Sequence, residues 1–114
     1  MNVLFNGFDS QEATFKASST VLTKRAVALQ STGDVSYAEP GGAFTGIVTG
    51  YRNGLASVVM RGWAEVNYRN TAPTVGICKL SVSSMGQLEI DEANGKPYTV
   101  VGVDTASKTI EIIL

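Results

Sequence analysis

At 114 residues the chain suits a single domain, and 44% hydrophobic residues are enough to bury a core. Its nine Lys and Arg are scattered among ten Asp and Glu, net charge −1, so no basic stripe exists to neutralise a nucleic-acid backbone. With no histidine and one cysteine, Cys78, a histidine-assisted nucleophile, an internal disulfide and a multi-cysteine metal site are excluded.

The opening Met1-Asn2-Val3-Leu4-Phe5-Asn6 has neither the positive cluster nor the apolar core of a secretory signal. No apolar run approaches the ~18 residues of a membrane span, so the expectation is a protein made in a cytoplasm, with no membrane partner. Only 17% of residues are charged, which hints that part of the surface is covered by other subunits.

Residues 1–23 read as an N-terminal arm, because Gly7, Asp9 and Ser10 interrupt any long element. A short strand fits 13–17, and Phe5, Phe8 and Phe15 are many aromatics for a tail left in water. They suit a segment that orders on a neighbour and adds its backbone as a strand.

From residue 24 the pattern is that of a β domain, 24–114. Strands are predicted over 24–30 and 35–38, separated by Ser31-Thr32-Gly33-Asp34, with a loop at Glu39-Pro40-Gly41-Gly42. The next stretch carries the strongest local signal. A strand over 43–49 meets Asn53-Gly54, two residues that accept the positive φ of a primed hairpin turn, and returns over 55–60. The returning strand is apolar on both faces, as in a sheet covered on each side. Gly62 breaks the run, and a third strand over 63–68 sets Ala64, Val66 and Tyr68 against Trp63, Glu65 and Asn67. Further strands are predicted over 76–82, 87–91, 98–104 and 108–114, the last pointing Ile110, Ile112 and Leu114 to one side. The expected fold is therefore all-β, a small barrel or sandwich of about nine short strands with an extended arm. A faint echo links Gly46-Ile47 to Gly76-Ile77, as two similar hairpins would.

Catalytic and metal-binding patterns are sparse. Glu89, Asp91, Glu92 and Asp104 could together hold calcium or form an acid–base pair, but their alternation suits a solvated strand face and its turn. Phosphate loops and zinc spacings are absent. No cofactor and no enzymatic activity are expected. Trp63, Tyr51 and Tyr68 read as packing residues, or else as an aromatic platform for a sugar or a protein.

The segments A-V-A-L-Q-S-T-G-D-V (26–35), G-G-A-F-T-G-I-V-T (41–49), G-L-A-S-V-V-M-R-G-W-A-E-V (54–66), V-G-I-C-K-L-S-V (75–82) and G-Q-L-E-I (86–90) resemble the small head-decoration, or capsid cement, proteins of tailed phages and prophages. The resemblance spans roughly three-quarters of the chain. It departs in the aromatic N-terminal segment and in the ending over 98–114. It implies a structural virion protein that binds the outside of the mature head, clamps adjacent capsomers and assembles as a homo-oligomer, with a trimer favoured. Its partners would be the major capsid protein and itself. On that reading Phe5, Phe8 and Phe15 are the candidate capsid contacts, and Arg52, Trp63 and Arg69 the candidate self-association residues. Rival readings are a phage tail-tube or adaptor subunit and a carbohydrate-binding β module.

Overall fold

Ten strands and one 3-10 turn make up the computed structural model, which describes residues 11–114. In chain order they are β1 (Gln11–Lys16), β2 (Ala26–Leu29), β3 (Val35–Tyr37), β4 (Gly46–Arg52), β5 (Leu55–Arg61), β6 (Trp63–Asn67), β7 (Gly76–Val82), β8 (Leu88–Ile90), β9 (Lys96–Asp104) and β10 (Thr109–Ile113). The turn, Ser84–Gly86, lies between β7 and β8. The fold is thus all-β. The added strand relative to the sequence reading of the body is β1, which lies in the segment expected as an arm.

The strands form two five-stranded antiparallel sheets, ordered β1-β5-β4-β2-β3 and β6-β10-β9-β7-β8. The second order repeats the first with every strand advanced by five. Each sheet also curls until its edges meet: Ala17, just past β1, bridges Val35 of β3, and Tyr68, just past β6, bridges Leu88 of β8. Closing a sheet on itself removes most of the unpaired edge that would otherwise invite aggregation. Matching hydrogen bonds hold the two closures, Ser18 N–H to Val35 O at 3.1 Å and Arg69 N–H to Leu88 O at 2.8 Å.

The repeat extends to an irregularity. In the β4–β5 hairpin, three pairs from the turn, the register shifts between Val48 and Gly50. In the β9–β10 hairpin the shift falls at the same place, between Val100 and Gly102. Such a bulge bends and twists a strand, which is what rolling a five-stranded sheet into a barrel requires. The sequence echo between Gly46 and Gly76 falls instead on β4 and β7, which are not equivalent strands.

Alternation assigns the faces. In the first barrel Val27, Val35, Val48, Ala56 and Val58 point inward and form one buried cluster with Val21. In the second, Val66, Leu80, Leu88, Val100, Ile110 and Ile112 do the same. Equivalent interior positions exchange bulk. Phe15 beside Ala56 corresponds to Val66 beside Ile110, and Ala17 corresponds to Tyr68. Each barrel fills its volume with a different set of side chains.

Gly62 is where the chain leaves one barrel for the other. It is buried, with φ 103°, and its carbonyl accepts from Leu114 N–H at 2.8 Å. Consequently the run 41–68 is a hairpin of the first barrel followed by the first strand of the second. β5 explains why its sequence is apolar on both sides: Val58 faces the barrel interior, whereas Val59 faces out and is buried against the second barrel, together with Ala26 and Ile47. Polar contacts fasten the junction. Asn67 N–H reaches Lys24 O at 2.8 Å, and Arg25 donates to Asn67 Oδ1 and Met85 O, each at 3.1 Å.

Candidate interaction surfaces

Of the segment expected as an arm, Phe5 and Phe8 lie outside the described residues. Residues 11–23 are seen on the body. β1 pairs with β5 through six residues, from Gln11 opposite Arg61 to Lys16 opposite Leu55. Phe15 sits opposite Ala56 and packs against the first barrel's interior, so its ring fastens β1 to the body. Val21, in the link to β2, is 2% exposed. The polar link Ser18-Ser19-Thr20, which separates Phe15 and Ala17 from Val21, hid this in the sequence.

Where β1 begins, a groove of about 440 Å³ opens between the barrels. Glu12, Thr49, Val59, Trp63 and Glu65 line it. Thr49, the bulged residue of β4, donates to Glu12 Oε1 at 2.8 Å, and Lys24 meets Glu65 at 3.5 Å. Being half-exposed, this ion pair contributes at most about 1 kcal/mol. Trp63 and Tyr51 are both half-buried, Trp63 lining this groove and Tyr51 packing against the first barrel, while Tyr68 is 4% exposed.

Arg52, Trp63 and Arg69 occupy separate places. Trp63 starts β6 and Arg69 follows its end, a separation of roughly 20 Å at strand rise. Arg69 bonds the Ser84 hydroxyl through its guanidinium and Leu88 O through its backbone, closing the second barrel. Arg52 stands at the tip of the β4–β5 hairpin, beside a shallow hollow shared with Thr14 and the exposed Leu55.

The carboxylates serve turns. Glu89 accepts from Asn70 Nδ2 at 2.8 Å. Asp91 accepts from Asn94 N–H at 2.9 Å, chiefly which holds its carboxyl below the usual range. Asp104 is lowered by the Ser107 hydroxyl first, then by the backbone N–H groups of Ser107 and Ala106. Among the described residues no three His, Cys, Asp or Glu gather as a metal site. Both depressed carboxyls favour the folded state above the unfolded value of 3.8, and that stability is lost as pH falls through their folded values. Replacing Asp91 and Asp104 with Asn should therefore flatten the fall in melting temperature between about pH 5 and pH 2, which thermal scans across that range would read.

Cys78 packs against the second barrel's core and donates through Sγ to Thr74 O at 3.1 Å. Among the described residues no helix is long and apolar enough to cross a membrane.

No family model matches the chain, and no curated protein sequence does. Among solved structures it is similar to the head fiber gp8.5 N base of bacteriophage phi29, with a TM-score of 0.71. That likeness covers 93% of this chain and 94% of the other at 17% sequence identity. At such identity it is a likeness of fold, and it extends over both barrels.

Proposed function

We propose that this chain is a structural protein of a tailed-phage head, a decoration or cement protein that binds the outside of the mature shell and clamps adjacent capsomers. The observation that carries this reading is the two-barrel fold it shares, nearly end to end, with the base of a phage head fiber. The segments that resemble decoration proteins point the same way. The partners on this reading are the major capsid protein and further copies of the chain, as a trimer, at the head surface of a virion assembled in the bacterial cytoplasm.

The chemistry of such a role is modest. A clamp makes and breaks no covalent bond; it needs a rigid body and a segment that can engage a neighbour. A protein that binds the assembled shell and not its separated subunits stabilises the shell by linkage. Many copies then multiply a small energy per site. Here the rigid body is the pair of closed barrels. The engaging segment is residues 1–10 with Phe5 and Phe8, delivered by β1, which Phe15 anchors.

This division sets the truncation that tests it. Removing residues 2–10 should abolish co-sedimentation with purified heads while leaving the β-sheet circular dichroism and the melting temperature unchanged. Undiminished binding would refute the arm. A cut at residue 20 would also strip β1 and Phe15 from the first barrel and should lower the melting temperature.

A further inference from the structure

Because the two barrels share strand order, bulge and closing bridge, their outer faces can be matched pair by pair along the ladders. On the first barrel one cross-strand row runs Glu12, Val59, Ile47, Ala26. Its apolar members are the surface this chain buries against its own second barrel: Val59 is 3% exposed, Ile47 and Ala26 0%. The equivalent row on the second barrel runs Trp63, Ile113, Thr99, Ile77. Its outer end is open. Ile77 is 78% exposed, and Val75, two residues earlier, is 68% exposed, the highest values among the exposed large hydrophobic side chains of the described residues.

We propose that this row of the second barrel is a self-association face, covered by the first barrel of a second copy of the chain. Two observations select that occupant. The row is continuous with an interface already formed, since Trp63 at its inner end lines the inter-barrel groove beside Val59. And the chain itself shows what such a row takes, because the matching row of the first barrel is buried by a barrel of the same build. A contact of this kind joins unlike surfaces, second barrel to first. Repeated by one rotation it closes into a ring; a rotation that fails to close would give filaments. Of the residues named for self-association from the sequence, Trp63 lies at the inner end of this row, whereas Arg52 at the β4–β5 hairpin and Arg69 beyond β6 lie off it. The inference concerns copies of this chain and holds whether or not the chain binds a head.

Sedimentation equilibrium of the full chain, beside its Ile77→Glu and Leu55→Glu variants, tests this. Both substituted side chains sit at exposed positions, so far-UV circular dichroism should stay that of the wild type. The wild type should self-associate, I77E should weaken association by at least about tenfold, and L55E should leave it unchanged. A Val75→Lys variant should repeat the loss. Wild-type protein that is monomeric throughout, or I77E that associates as tightly as the wild type, overturns the proposal. So does loss in L55E with I77E unaffected, which moves the contact to the β4–β5 hairpin. Monomeric wild type whose binding to purified heads is lost in I77E also overturns it, and assigns the face to the shell.

Discussion

Replacing Ile112 with alanine should destabilise the fold by about 2–5 kcal/mol, the usual range for emptying a buried aliphatic site. Ile112 is 0% exposed and lies opposite both Ala64 on β6 and Val100 on β9, in the middle of the second barrel. Ala64 is too small to fill the space, and β10 is bracketed by paired strands, so the site has little freedom to collapse. The internal control is Ile77, the same residue type on the outer face. Ile77→Ala should change monomer stability by no more than about 0.5 kcal/mol. Urea denaturation of both variants at low protein concentration decides the matter. Equal costs would mean that the inner and outer faces have been assigned wrongly.

A comparable loss is expected at Gly46. An added Cβ there would fall 2.3 Å from Val59 O and 2.6 Å from Val58 Cγ1. The first of these is backbone on the adjacent strand and cannot swing away. Gly46→Ala should therefore push β4 off β5 and cost about 3 kcal/mol or more, at the upper end of overpacking effects. Because Ile47 and Val59 also cover the junction, the disturbance should reach the contact between barrels. Gly50, four residues along the same strand, meets nothing within 4 Å of the corresponding position. Gly50→Ala should stay within about 1 kcal/mol of the wild type, and the difference between the two midpoints in urea is the readout.

Much of the strand content was legible because local chemistry announces it. Asn53 and Gly54 take φ of 52° and 80°, as a primed turn demands, and β7 runs over the predicted residues. Alternation placed Ala64, Val66 and Tyr68 inside, together with Ile110 and Ile112. Pairings far apart in sequence left no such trace. Nothing around Phe15 announces Ala56 as its partner, and nothing around Tyr68 announces Leu88. The division into two barrels was hidden for the same reason, since Gly62 reads locally as one more turn between strands of a single sheet. The repeat is invisible in sequence because packing constrains volume more than identity: Phe15 and Ala56 do in one barrel what Val66 and Ile110 do in the other. Of the candidate contact residues, Trp63 was found beside a groove and Phe15 facing a core, while the exposed Val75 and Ile77 had not been singled out from the sequence. Ile77 stands on the outward side of β7 and Val75 just before it, yet alternation alone does not say which face of a strand is covered.

The proposed role is recognition of an assembled shell by a two-barrel body. The most direct test titrates the full chain against purified mature heads of its parent phage and, separately, against unassembled capsid protein. Saturable binding to heads, at a fixed number of copies on the outer surface by electron microscopy, with much weaker binding to free subunits, is the predicted result. Binding to tails, or equal binding to heads and free subunits, would contradict it.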